Sequence, residues 1–325
     1  MARKRIRNGE NMILVSAIIA TYNRANFLER LLSDFSIQVV DSRFDFEVII
    51  VDNNSSDQTK TVVESFINHS PERFVYLFEK RQGKSLALNS GIQKAKGDIF
   101  AFTDDDVHLD LCWLKNLVEC FLQYGCDGVG GKVIAKFPED APAWIRANED
   151  LLCGPIVFHD YGEGTKLYQK PMIEIVGANM AFKRTIFDDC GLFRIDLGAG
   201  QGTMGEDTEL FKRFSQKTKK IYYCGEAIVQ HPVDLRRLKL KSIAQWNIAL
   251  AKYRFIVDEN GRVDEKLVFC LGIPRYLIRE VAETALSLPF KIFNRREFLK
   301  AWIKLSLKLG TISEVRKRNR CAQSA

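Results

Sequence analysis

Apolar residues follow two rhythms along the first half of the chain. "ILVSAIIA" (Ile13–Ala20) and "FEVIIVD" (Phe46–Asp52) are continuous, β-branched apolar runs, the pattern of strands covered on both faces. "RFVYLFE" (Arg73–Glu79), "DIFAFTD" (Asp98–Asp104) and "GVGGKVIA" (Gly128–Ala135) predict three more strands. Between them the spacing changes to three and four. Leu28, Leu31, Leu32 and Phe35 mark one helix; Val62, Val63, Phe66 and Ile67 a second; Leu88, Gly91, Ile92 and Ala95 a third; Leu114, Leu117, Val118 and Phe121 a fourth. Gly97 is expected to cap the third. Such alternation predicts an α/β fold, a Rossmann-like and mostly parallel central sheet flanked by helices. Ligands of such sheets bind beyond the carboxyl ends of the strands.

After Pro138 the rhythm weakens. "EIVGANMAFKRTIF" predicts a strand running into a short helix, and "MGEDTELFKRF" a loop leading into a helix with Leu210, Phe211 and Phe214 inward. "KKIYYCGEAIVQHPV" predicts a last strand pair ending near His231. Beyond it the chain reads as helical and basic. Residues 236–325 hold 20 Lys/Arg against 8 Asp/Glu, whereas the rest is mildly acidic, 28 against 33. The expected organisation is a basic N-terminal segment at 1–12, an α/β domain at 13–235 and a helical basic region at 236–325.

Composition adds mainly exclusions. With 325 residues, 46% hydrophobic and 27% charged, this is an ordinary globular chain. The start, "MARKRIRNGENMILVSAIIA", has the basic-then-apolar order of a signal peptide. Its apolar run is short, is interrupted by Ser16 and ends in "TYNR", so a strand is expected instead. No apolar stretch reaches the roughly 18 residues of a membrane span. The eight cysteines are scattered with neither C-x-x-C pairs nor zinc spacing, which points to a reducing, cytoplasmic setting.

Chemistry concentrates where strands end. Thr21–Arg24, Asp52–Asn54 and Asp104–Asp106 each follow a strand's last apolar residue, so all three should line one edge of the sheet. Adjacent carboxylates there suit Mg²⁺ or Mn²⁺, which take oxygen ligands and complete their shells with substrate phosphates. A phosphatase-type nucleophilic Asp-x-Asp would want Thr or Val two positions after its second Asp and would sit on the first strand; neither holds. In "GEDTEL" (Gly205–Leu210), Glu206 and Asp207 read either as acidic residues matched to a helix dipole or as a general base.

Taken in order, these segments resemble the family-2 inverting glycosyltransferases of the GT-A fold, of the bacterial glycan-biosynthesis type. "SAIIATYNRANFLERLL", "EVIIVDNNSSDQT", "GKSLALNSGI", "AFTDDDVHLDLCWL", "VGANMAFKRTIFDDCGLF" and "GEDTELFKRF" match in sequence over roughly Val15–Val233. The resemblance implies a metal-dependent transfer of sugar from a nucleotide-diphosphate sugar, with a UDP-sugar expected, to a glycan or lipid-linked glycan hydroxyl. Thr21, Tyr22, Asp52, Lys84, Asp104 and Asp105 would bind the donor. Asp106 and Asp104, with His231 as a third candidate, would hold Mn²⁺ or Mg²⁺. Asp207 would be the catalytic base, and Gly177, Ala178, Asn179 and Glu206 would line the sugar and acceptor pocket. Two departures stand out: an Arg common before the Asn of the third segment is Leu88 here, with Lys84 as the substitute cation, and the Q-x-x-R-W of processive synthases is missing. The alternatives are a nucleotidyltransferase, which lacks its Gly-rich phosphate loop after strand one, and a catalytically inactive scaffold, which should have lost Asp106 or Asp207.

In "REFLKAWIKLSLKLG" Arg296, Lys300, Lys304 and Lys308 recur every four residues, with Phe298, Leu299, Trp302, Ile303, Leu305 and Leu309 over much of the rest. Such a helix can lie in an anionic membrane interface, here the inner face of the cytoplasmic membrane, or pack on the catalytic domain with its lysines solvated. No nucleic-acid recognition motif accompanies the charge.

Overall fold

The computed structural model describes residues 6–7, 10–169, 175–201, 203–257 and 268–323. Most of the expected N-terminal basic segment, and Glu174 at the start of the strand expected over "EIVGANMAFKRTIF", lie outside them. A short hairpin, β1 (Ile6–Arg7) and β2 (Glu10–Asn11), precedes the main sheet. In chain order come β3 (Ile13–Thr21), α1 (Ala25–Ser36), β4 (Phe44–Asp52), α2 (Thr59–His69), β5 (Phe74–Phe78), α3 (Lys84–Lys94), β6 (Ile99–Phe102), β7 (His108–Leu109), α4 (Trp113–Tyr124) and β8 (Gly128–Lys136). Then follow α5 (Ala143–Arg146), α6 (Glu149–Ile156), β9 (Thr165–Leu167), β10 (Met180–Lys183), α7 (Arg184–Cys190), α8 (Glu206–Lys217) and β11 (Ile221–Pro232).

The sheet order is β5-β4-β3-β6-β10-β8-β11-β7, with β9 also on β11. Strands β5, β4, β3, β6, β8 and β11 run one way; β10, β7 and β9 run against them. The continuous apolar runs are the central strands: Ala17, Ile18 and Ile19 of β3 and Val48, Ile49, Ile50 and Val51 of β4 are wholly buried. One face packs α1, α2 and α4 through Leu28, Leu31, Phe35, Trp113 and Leu117; the other packs α3, α7 and α8 through Leu88, Ile92, Phe187 and Phe214.

Two local expectations change. Helix α3 ends at Lys94, capped by the Ala95 amide on Gly91 and Ile92, so Gly97 is not its cap. Gly97 donates its amide to Ser16 Oγ, and a Cβ there would stand 2.5 Å from the Ser16 nitrogen; glycine is needed for close approach to β3. The anticipated last strand pair is one strand, β11, which stays on β8 throughout and absorbs Gly225–Glu226–Ala227 as a bulge between Cys224 and Ile228.

The chain divides into two compact units, and the sheet with its helices is the first: Met1–Lys136, Val157–Gln201 and Glu206–Pro232. The second joins Phe137–Ile156 and Gly202–Gly205 to Val233–Ala325. It holds α5, α6, a 3₁₀ turn (Leu235–Leu238), α9 (Leu240–Val257), a hairpin of β12 (Phe269–Cys270) and β13 (Ile273–Pro274), α10 (Arg275–Lys291) and α11 (Arg295–Gln323). Gly154 lies against the Trp246 ring, where a Cβ would come within 2.2 Å, and Arg296 forms ion pairs with Asp150. These contacts tie the 137–156 segment to helices more than 80 residues away. Gly310 lets α11 cross α9 closely, since a Cβ there would stand 2.8 Å from the Ile248 carbonyl oxygen. No described helix is long and apolar enough to cross a membrane.

Candidate active site

Strands β3 and β4 run in register to their ends, Thr21 opposite Asp52, so their loops start level. Asn23 and Asn54 take left-handed backbone, which Asn tolerates better than most residues. The loops are laced together: the Asn53 amide donates to the Thr21 carbonyl, the Ser56 amide to Asn23 Oδ1 and the Ala25 amide to Asp57 Oδ2. Tyr22 stands out from this ledge, 49% exposed. Asp52 is buried, with one oxygen accepting the Ser55 amide (2.8 Å) and the other the Tyr76 hydroxyl (2.7 Å). Asn53 braces the next loop, donating to the Glu79 and Arg81 carbonyls and accepting from the Gly83 amide. That loop delivers Lys84 at the start of α3.

The three aspartates after β6 meet two protein cations. Lys84 Nζ lies 2.8 Å from Asp104 Oδ1 and 3.2 Å from Glu206 Oε1. Arg24 Nη1 is shared between Asp105 Oδ1 (2.8 Å) and Asp106 Oδ2 (2.7 Å). Five carboxylates, counting Asp207, thus face one Lys and one Arg, and the titration of the cluster reflects that deficit. Burial, reinforced by Asp106 and opposed by Arg24, pushes the Asp105 carboxyl up to about 6. Burial is also the largest influence on Asp104, but Lys84 outweighs it and holds that carboxyl below its usual value. Lys84 is raised well above the ordinary amine range: burial opposes its charge, and Asp104, Glu206 and Asp207 more than reverse this.

Asp207 sits in the first turn of α8. The Gly177 amide donates to Oδ2 at 2.6 Å and the Thr208 amide to Oδ1 at 2.8 Å. A Cβ on Gly177 would lie 3.0 Å from that Oδ2, so glycine makes room for the carboxylate. Burial, then Glu206, push Asp207 up to about 6, against the pull of Lys84. A narrow pocket of about 10 Å³, lined by Lys84, Thr103, Gly177, Glu206 and Asp207 among others, opens at this point.

On the far side of Lys84, Asp104, Asp106 and His231 each offer one ligand atom, all within 4.8 Å of one another. His231 is buried at the end of β11, with Nε2 3.6 Å from Asp106 Oδ1. Its Nδ1 lies 3.1 Å from the Pro232 carbonyl oxygen, which can only accept, so Nδ1 carries a proton and Nε2 is the ring nitrogen turned towards the aspartates, where it can serve as a metal ligand in the neutral tautomer. Two carboxylates and an imidazole this close, in a site short of positive charge, fit Mn²⁺ or Mg²⁺.

The expected pocket residues separate. Gly177 and Glu206 line the pocket; Ala178 and Asn179 are buried beside it. The Ala178 carbonyl accepts from Thr103 Oγ1. Asn179 accepts from Trp113 Nε1 and donates to the Lys132 and Ala227 carbonyls, a junction of α4, β8 and β11. Thr21 is buried at the end of β3, and its hydroxyl has no hydrogen-bond partner among the described residues. Arg24 and Asn53, expected at the sheet edge as members of the strand-end runs but given no role of their own, complete the site. Asn89 and Ser85 belong with them, binding Phe193 backbone and the Leu197 carbonyl and so tying the 191–201 loop to α3.

A profile of glycosyl transferase family 2 matches residues 16–191, more than half of the chain. The chain belongs to that family. It is an enzyme of the glycosyltransferase class with the GT-A fold. Over 315 residues it is 24% identical to glycosyltransferase AglE of Haloferax volcanii, covering 93% of this chain and 96% of that one. A 97-residue stretch is 37% identical to the GalNAc(5)-diNAcBac-PP-undecaprenol beta-1,3-glucosyltransferase of Campylobacter jejuni, over 29% of this chain and 30% of that one. Among solved structures, the mannosyltransferase PcManGT of Pyrobaculum calidifontis, in complex with GDP-Man and Mn²⁺, aligns with a TM-score of 0.57 at 19% identity, over 97% of this chain and 76% of that one.

Proposed function

We propose that this glycosyltransferase is metal-dependent and inverting, and moves a sugar from a nucleoside-diphosphate sugar to a hydroxyl of a lipid-linked glycan. The observation that carries the reading is the pairing, across Lys84, of a candidate cation site (Asp104, Asp106, His231) with a half-buried, amide-held carboxylate (Asp207). A bound divalent cation supplies positive charge for the departing nucleoside diphosphate. Tyr22 offers its exposed ring to the base, and Asp52 and Thr21 shape the base and ribose end of the ledge. Asp105, kept in place by Arg24, orients the ribose side, and Lys84 lends charge beside Asp104. Asp207 takes the proton from the acceptor hydroxyl, whose oxygen attacks the anomeric carbon opposite the leaving group, so one displacement inverts the centre. Glu206 helps shape the acceptor side, Gly177 gives Asp207 its room, and Ala178 and Asn179 act from behind the pocket wall.

A lipid-linked acceptor is supported by the name of the Campylobacter relative, and a diphosphate-sugar donor with Mn²⁺ by the GDP-Man and Mn²⁺ of the Pyrobaculum complex. The free thiols among the described cysteines accord with a cytoplasmic setting. On this reading residues 13–235 are the catalytic part and 236–325 the accessory part. The test is calorimetric titration of UDP, GDP and dTDP with and without Mn²⁺, on wild type and Asp106→Ala. Mn²⁺-dependent binding of one nucleotide, UDP by expectation, lost in the variant, supports donor class and metal site together. Binding that ignores both Mn²⁺ and Asp106 would sink the metal assignment.

A further inference from the structure

We propose that the corner between α10 and α11 docks the protein on an anionic lipid surface. Leu286, Phe290 and Phe293 recur at i, i+4 and i+7 and are 72%, 87% and 97% exposed, with Ile292 at 60% beside them. Residues this apolar are rarely left together in water without a partner. Next to them an open cleft of about 230 Å³ between the two helices is lined by Lys291, Lys300 and Lys304 together with Glu283, Thr284 and Ser287. Its three ammonium groups suit phosphate oxygens and outnumber its one carboxylate, Glu283, which pairs with Arg279; the Thr284 and Ser287 hydroxyls donate to the Glu280 and Thr284 carbonyls.

The charge balance favours the same occupant. Residues 275–308 contain eight Lys/Arg and three Asp/Glu. Arg279, Arg296 and Lys308 are paired with Glu283, Asp150 and Glu280, and Lys300 with Glu297. Among the described residues, Lys291, Arg295 and Lys304 form no ion pair. Lysine is depleted at protein–protein interfaces, whereas aromatic residues flanked by free lysines are what a headgroup layer over acyl chains accommodates. Only the basic half of the face that helical periodicity pointed to takes part. Leu299 and Leu305 of α11 are buried, and Trp302 donates its Nε1 proton to the Leu240 carbonyl, so these apolar residues pack within their own unit, whereas Lys300 and Lys304 line the cleft.

In purpose the docking corner rests on the lipid-linked acceptor proposed above; its test uses no acceptor. The full chain is sedimented with vesicles of phosphatidylcholine alone and of phosphatidylcholine mixed with phosphatidylglycerol. Wild type should bind the mixed vesicles, less so at high salt. Phe290→Ser/Phe293→Ser should weaken binding about tenfold or more, and Lys291→Gln/Lys304→Gln about 30-fold, while both variants bind nucleotide like wild type. The proposal is overturned if wild type ignores mixed vesicles, if it binds both vesicle types equally, or if the Phe variant binds undiminished. A stable dimer dissolved by the Phe substitutions would also overturn it, in favour of a second copy. Vesicle binding by a chain that transfers no sugar would uphold the docking corner and remove the lipid-linked transfer reading.

Discussion

The carboxylate edge and the α10–α11 corner handle awkward side chains in opposite ways. At the edge, five buried or half-buried acids are matched to Lys84, Arg24 and backbone amides, and Asn179 behind them has a partner for its oxygen and both its hydrogens. At the corner, Phe290 and Phe293 have almost no cover, and among the described residues Lys291 and Lys304 form no ion pair. Groups that must hold one geometry are over-determined by neighbours; groups that meet a deformable partner are left unfixed. On the proposed reading, preorganisation serves the chemistry and exposure the docking.

That contrast can be broken in graded steps. Asp207→Asn should lower kcat by about 10²–10⁴ while nucleotide binding is kept, and calorimetry beside turnover assays checks both halves. If Asp207 is the base its ionised form is the active one, and with its carboxyl pushed up to about 6, kcat/KM should fall about tenfold per pH unit below that point. Glu206→Gln removes the neighbouring charge that raises Asp207 and should carry this limb to lower pH. Next in size, Asn179→Ala leaves the Trp113 indole and two carbonyls unpaired and should cost about 3 kcal/mol in urea unfolding. Smallest of all, Phe290→Ser/Phe293→Ser should move the same unfolding curve by no more than about 0.5 kcal/mol. A large loss there would mean the corner is packed after all.

Periodicity made much of the first unit legible. The runs in β3 and β4, the apolar faces of α1 and α4 and the strand-end acids all follow from which residues must be buried and what then remains at the edge. Long-range pairing is not written in periodicity. Arg24 reaches Asp105 and Asp106 across more than 80 residues, and nothing in "TYNR" distinguishes a solvated arginine from that bridge. Asn179 lay within a matching motif, yet only the neighbouring backbones reveal that its side chain is committed to holding them. The 137–156 segment resembled part of the α/β body because its partners, Trp246 and Arg296, come much later in the chain. The corner was masked by a stronger signal: the lysine stripe of α11 drew attention to the apolar residues of the same helix, of which Leu299 and Leu305 are already covered, and away from Phe290 and Phe293.

The single Arg24 nitrogen shared by two aspartates has a practical consequence. In small zinc modules the ion is the fold, and a chelator unravels the chain. Here the guanidinium and Lys84 act as resident counter-ions, and the sheet beneath them is held by its own hydrocarbon core. Stripping divalent ions should therefore leave a folded, dormant protein that can be stored, handled and reloaded at will.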